Sequence, residues 1–304
     1  MQVLSIEGGN KDDKKSMSMS LSADSKPDNE DSLRADGRKG NSSSTRHGAR
    51  NQHRHKHFTK WLISKFPHIL TDCVDNIDHH SPDASQNPKP MHILDVAGGK
   101  GELSARLSLC HALRVVMVDP RSADVASVYM NSVVPKLPNK WQASIRQQIQ
   151  QCPTFVGDLL ERRYSQLVMP FTAPVNLDSD TCEQRRDLFE RNVPPLLHDA
   201  VQRASLIIGL HADSATEAIV DAALLYNKPF VVVPCCVFPN LFNNRYIDVP
   251  IQDAETGVGT QSTRRIPVRT HEHFCVYLLN KDSRFKREIL PFEGRNVAIW
   301  WDGM

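Results

Sequence analysis

The stretch that decides the fold is Met91-His-Ile-Leu-Asp-Val-Ala-Gly-Gly-Lys-Gly-Glu-Leu-Ser104, an apolar run closed by an acid and a glycine-rich turn. A second apolar run, Val115-Val-Met-Val-Asp119, also ends in an acid. Strand, glycine turn, helix, strand, acid is the order in which a doubly wound sheet builds a nucleoside site at the carboxyl ends of its strands. Acids placed there take ribose hydroxyls, and glycines let the backbone come close to a ligand.

The ligand is narrowed by the residues around the turn. Gly99, Gly101 and Ser104 approach the dinucleotide fingerprint, which leaves nicotinamide or flavin open. Asp95 argues the other way, because a carboxylate at the strand end would meet a pyrophosphate as a like charge. It suits a cationic or hydrogen-bond-donating ligand better. The spacing Asp95-x-Ala97-x-Gly99-x-Gly101 resembles motif I of the class I S-adenosylmethionine-dependent methyltransferases, with Ala97 standing for the first glycine of that motif. The resemblance implies a Rossmann-like α/β fold, its seven-stranded sheet mostly parallel with an antiparallel last strand. It implies S-adenosyl-L-methionine as cofactor, cradled at Asp95, Ala97, Gly98, Gly99 and Gly101, with the ribose on Asp119. Thr154-Phe-Val-Gly-Asp158 reads as a third strand ending in an acid, and the same resemblance puts Asp158 near the adenine amino group.

Length and composition allow this. The 304 residues suffice for one domain of about 200–250 residues with appendages. A net charge of +2 names no partner by itself. No run approaches the roughly 18 apolar residues of a membrane span, so no membrane partner is expected. Seven cysteines without any C-x-x-C argue for a reducing compartment, cytoplasmic or nuclear, and against a zinc framework.

Three segments follow. Residues 1–50 are polar and read as disordered. Residues 51–90 hold a helix around Phe58, Trp61, Leu62 and Phe66 and a proline-bearing linker; residues 91–304 form the Rossmann-like domain. Arg46, Arg50, Arg54, Lys56 and Lys60, interleaved with His47, His53, His55 and His57, make a basic stretch over 46–60 that suits a phosphate backbone. RNA is therefore the first macromolecular partner to consider, against the plain alternative of a solvated run leading into a helix. Farther on, the sequence predicts a helix near 141–149, a proline-kinked one over 183–203, and another over 214–226. Strands are expected at 205–210 and 229–234, and a final antiparallel pair from Phe274–Leu279 and Asn296–Trp301.

The chemistry is expected after the fourth and fifth strands. Gly209-Leu-His211-Ala-Asp213 and Pro234-Cys-Cys236 resemble segments of a methyltransferase-like group that includes tRNA ribose 2′-O-methyltransferases, except that Ala212-Asp213 stands where that group has Cys-Gly. His211 is the candidate general base on a hydroxyl, with Asp213 to orient it. A histidine and an aspartate that merely cap the next helix are the plain alternative. Cys235 and Cys236 read as buried strand-end thiols with no role in catalysis. The expected activity is direct methyl transfer to an oxygen or nitrogen nucleophile. The departure at Ala212-Asp213 keeps a second reading in view, an inactive methyltransferase-like binding or assembly protein.

Overall fold

The structure is a computed structural model that describes residues 53–75, 90–172, 182–250 and 263–304. The polar tail over 1–50 and most of the linker before Met91 lie outside those residues. Seven strands form one sheet in the order β3-β2-β1-β4-β5-β9-β8. They are β1 (His92–Val96), β2 (Val115–Val118), β3 (Tyr164–Leu167), β4 (Ala204–Leu210), β5 (Phe230–Val233), β8 (Lys286–Ile289) and β9 (Val297–Trp301). Neighbours from β3 through β5 pair in parallel, and β9 runs antiparallel to both β5 and β8. This is the Rossmann-like class I methyltransferase arrangement. Winding reverses between β1 and β4, and such a switch point opens a crevice at the strand ends. A separate two-stranded ribbon pairs β6 (Tyr246–Pro250) with β7 (Thr263–Pro267).

Helices cover both faces. In chain order they are α1 (Arg54–Lys65), α2 (Pro67–Thr71), α3 (Glu102–Ala105, prolonged by a π turn to Cys110), α4 (Val125–Val128), α5 (Asn139–Gln151) and α6 (Phe155–Arg163). They continue with α7 (Cys182–Asn192), α8 (Pro195–Arg203), α9 (Thr216–Leu225) and α10 (His271–Leu279). On one face Ile93, Val115, Leu206, Ile208 and Val231 pack under Phe58 and Leu62 of α1, Leu70 of α2 and Leu103 and Leu107 of α3. On the other, Leu94, Val96, Ile207 and Val232 pack under Leu197 of α8, Ile219 and Val220 of α9 and Phe274 of α10. Central strands covered on both faces carry apolar residues continuously, which is why their sequences show no alternation.

Two expected strands are helical instead. Thr154–Asp158 opens α6: Thr154 Oγ1 donates to Asp158 Oδ2 at 3.0 Å, an acid in the first turn suits the helix dipole, and Arg162 and Arg163 close the last turn. The third strand is the polar Tyr164-Ser-Gln-Leu167 that follows. Phe274–Leu279 belongs to α10, whose Thr270 cap accepts the His273 N–H at 3.2 Å. The partner of β9 is therefore the charged strand β8. The helix expected over 183–203 is broken at Pro194-Pro195 into α7 and α8.

A buried ionic cluster joins the ribbon and α10 to α9. Arg245 Nε meets Glu217 Oε2 at 2.6 Å, Tyr277 OH donates to Glu217 Oε1 at 2.6 Å, and Lys281 Nζ bridges Glu217 and Asp221 at 2.7 Å each. Two cations balance two acids, so the cluster is neutral as a whole. Removing one member leaves buried charge without compensation. Glu217→Ala is expected to destabilise the chain by about 3–5 kcal/mol in urea denaturation, and a loss below about 1 kcal/mol would show that water replaces the carboxylate.

Candidate active site at the rim of β1, β2 and β4

The glycine-rich turn takes its shape from backbone that only small residues tolerate. Ala97, Gly99 and Gly101 have φ of 56°, 62° and 80°. At Gly101 an added Cβ would also meet Val125 Cγ2 at 2.7 Å, so both the angle and the space require glycine. At Gly98 a Cβ would lie 2.5 Å from Met117 Sδ and 3.1 Å from Asp95 Oδ2. Bare backbone is thus packed directly against the strand-end carboxyl.

Parallel register sets the two acids side by side. Val96 pairs with Val118, so the chain leaves β1 and β2 at one level, with Asp95 last but one on β1 and Asp119 just past β2. Both are 1 % exposed, yet their surroundings differ. Burial pushes the Asp95 carboxyl up to about 7, opposed by the Ser104 hydroxyl that donates to it at 2.6 Å and reinforced by the charge of Asp119. Burial also works against ionisation of Asp119. There it is outweighed by the Arg121 guanidinium, the Arg121 N–H and the Gly99 N–H at 2.9 Å, which hold its carboxyl below the usual range. The residues Asp95, Ala97, Gly98, Gly99, Gly101 and Asp119 therefore meet at one place.

Asp158 does not join them. It is exposed on the first turn of α6, and the strand end on which its assignment rested is not there. Gln166 of β3 instead holds the loop that follows Asp119: its Oε1 accepts the Ala123 N–H at 3.1 Å, and its Nε2 donates to the Arg121 carbonyl at 2.7 Å. A glutamine inside a short polar strand carries no motif that would single it out.

His211 stands just past β4 with φ 58°, its N–H held by the Val233 carbonyl. Its Nε2 lies 2.8 Å from the Arg295 carbonyl, which fixes the proton on that nitrogen and leaves Nδ1 as acceptor, 3.5 Å from Arg54 Nη1. Burial lowers its pKa, the Arg295 carbonyl opposes that, and Arg54 lowers it further. Asp213 turns elsewhere. Its Oδ1 accepts from Cys235 Sγ at 3.0 Å, and among the described residues no hydrogen bond links it to His211. The carbonyl of Arg295 orients the ring, a backbone group that no side-chain pattern announces. Cys235 is half-buried and Cys236 exposed, contrary to the buried thiols expected of a strand end.

The front of α1 closes the rim. His55 Nδ1 lies 3.3 Å from Glu102 Oε2, and Arg106 and Lys136 reach Glu102 Oε1 at 3.1 and 3.5 Å. Burial would raise the Glu102 carboxyl, but these partners bring it down to about 2.

No protein-family model and no curated protein sequence matches the chain. Among solved structures it is similar to the methyltransferase domain of bacterial CtHen1, at 11% identity and a TM-score of 0.36 over 83% of this chain and 97% of that one. It is also similar to the C-terminal domain of precorrin-6Y C5,15-methyltransferase from Rhodobacter capsulatus, at 13% identity and a TM-score of 0.23 over 78% of this chain and 93% of that one. The fold assignment rests on the strand order, not on these two likenesses. Among the described residues no helix is long and apolar enough to cross a membrane.

The raised Asp95 carboxyl sets a pH dependence. Between its ordinary value of 3.8 and about 7 the folded chain holds a proton that the unfolded chain has released, so stability falls as pH rises through that window. Asp95→Asn keeps an acceptor for Ser104 and cannot ionise. It is expected to be more stable than the parent by on the order of 1–3 kcal/mol at pH 8, with the gap closing toward pH 4, as read by urea denaturation at both values.

Proposed function

We propose that the chain is an S-adenosylmethionine-dependent methyltransferase acting on an oxygen or nitrogen nucleophile, with RNA as the substrate class. The observation that carries this reading is the pair of buried carboxyls on adjacent parallel strands, joined across one glycine turn by the Gly99 N–H to Asp119. The residues fit the cofactor. Asp95 has no cationic partner among the described residues and suits an ammonium or other donor. Asp119 is held by the Arg121 side chain, which is 77% exposed and able to swing away in favour of ribose hydroxyls. A pyrophosphate would face two carboxyls here, which disfavours a dinucleotide. Bound at this rim, S-adenosylmethionine supplies a methyl group made electrophilic by its sulfonium.

The chain's own contribution is positioning and one proton. His211 accepts the proton of an acceptor hydroxyl at Nδ1 while Nε2–H stays on the Arg295 carbonyl. For this the Arg54 guanidinium must move from Nδ1 to the acceptor, where it offers charge to a neighbouring phosphate. Lys56 and Lys60 are exposed on the same helix and extend that charge outward, in keeping with an RNA acceptor. The position of Arg54 also favours a second reading, a chain that binds cofactor without transferring its methyl group, because in this state the nitrogen that would take the proton is covered.

Calorimetry separates these readings. S-adenosylmethionine and S-adenosylhomocysteine are expected to bind the parent, NAD is not, and Asp119→Ala is expected to lose both adenosyl ligands. Because a cationic ligand favours ionised Asp95, affinity for S-adenosylmethionine should tighten as pH rises toward 7, by up to about tenfold per pH unit, and then level off. His211→Ala should bind cofactor like the parent and transfer methyl to RNA about 10²–10⁴-fold more slowly. Binding of NAD alone would overturn the reading. Cofactor binding without transfer to any RNA, oligonucleotide or nucleoside would leave the binding protein.

A further inference from the structure

Asp213, Cys235 and Cys236 bring a carboxylate oxygen and two thiol sulfurs within 4.8 Å of one another where β4 and β5 end. Nothing in the methyl-transfer reading uses them. Asp213 comes from the turn after β4, and the two cysteines come from the turn after β5, so the cluster links neighbouring strand ends. We propose that these three side chains form a binding site for a thiophilic divalent ion, Zn²⁺ above all.

The ligand types argue for it. Two sulfurs and one carboxylate suit zinc, whereas magnesium or calcium would require an oxygen cage. Tetrahedral zinc, with bonds of about 2.3 Å to sulfur and 2.0–2.2 Å to oxygen, spaces its ligand atoms about 3.3–3.8 Å apart. The three ligand atoms already lie within 4.8 Å of one another, close to that spacing. Cys235 Sγ already lies 3.0 Å from Asp213 Oδ1 with a proton between them, the geometry in which a metal replaces a proton. On binding, each thiol gives its proton to solvent and each sulfur forms one bond to the ion. Three anionic ligands leave one negative charge over, and Arg121 lies within electrostatic reach of Asp213 to offset it. The backbone is held from behind as well: His271 Nε2 lies 3.0 Å from the Pro234 carbonyl, immediately before the cysteines. Three protein ligands leave a fourth position for water or a substrate atom, the pattern of open zinc sites.

The test is titration of the full chain, reduced and freed of metal, with Co²⁺ followed by Zn²⁺. Thiolate-to-cobalt charge-transfer absorption saturating at one equivalent, and abolished by one equivalent of Zn²⁺, is the expected result. Cys235→Ser and Cys236→Ser should each lose most of that absorption, and Cys152→Ser, which removes an exposed thiol elsewhere, should keep it. Asp213→Asn leaves both thiols in place. It should keep the absorption while weakening Co²⁺ affinity about 10–100-fold, and it serves if a cysteine variant does not fold. No charge-transfer absorption in the parent, or absorption that survives in Cys235→Ser and Cys236→Ser together, would overturn the proposal. Histidines near the N-terminus cannot mimic the signal, since it requires a thiolate. The outcome does not depend on whether the chain binds S-adenosylmethionine.

Discussion

The rim depends on one carboxylate. Asp119 is almost fully buried at the end of β2, and a buried charge persists only when donors surround it. One of those donors is the Gly99 N–H, so the glycine turn is tied to the end of the neighbouring strand as well as, through the Gly101 carbonyl and the Ala105 N–H, to its own helix. Ala97, Gly99 and Gly101 accept left-handed backbone to bring that amide across, and Val125 leaves no room for a side chain at Gly101. Asp95, a strand away, is given one hydroxyl and no cation among the described residues. Two acids in one crevice are thereby set apart, one ionised and neutralised, the other near neutrality and open to a positively charged guest.

A second constraint comes from α1. Its front half meets the rim through Arg54 on His211 and His55 on Glu102. Its back half is fastened to the far edge of the sheet, where Trp61 Nε1 donates to Glu288 at 2.8 Å and Lys65 pairs with the same carboxylate at 2.7 Å. Between these ends Phe58 and Leu62 are fully buried. The helix is therefore part of the core and part of the site together, which places Arg54 of the basic stretch beside the candidate base.

What the sequence made legible follows from burial. The five inner strands, β1, β2, β4, β5 and β9, are covered on both faces, so they stand out as apolar runs. The two edge strands are not. Tyr164-Ser-Gln-Leu167 and Lys286-Arg-Glu-Ile289 carry polar and charged residues, as edges exposed to solvent do, whereas more strand-like runs lie nearby at 154–158 and 274–279. Those runs are short enough that period cannot tell strand from helix; the first carries the Thr154–Asp158 side-chain bond across its opening turn, and the second is capped by Thr270. Asp95, Ala97, Gly98, Gly99 and Gly101 are local in sequence and fold as one strand end and turn. The environment of His211 is assembled from Arg54 and Arg295, far apart in the chain, and one of the two contacts is backbone. Spacing alone paired His211 with Asp213, whereas the fold pairs Asp213 with Cys235.

Hydrogen exchange of the backbone amides, with and without S-adenosylhomocysteine, tests the central claim most directly. Slowed exchange over residues 95–104 and 119–123, absent when NAD replaces the ligand, is the result that a rim organised by Asp95, Gly99 and Asp119 predicts. Unchanged exchange in those segments, or protection confined to another part of the sheet, would contradict it.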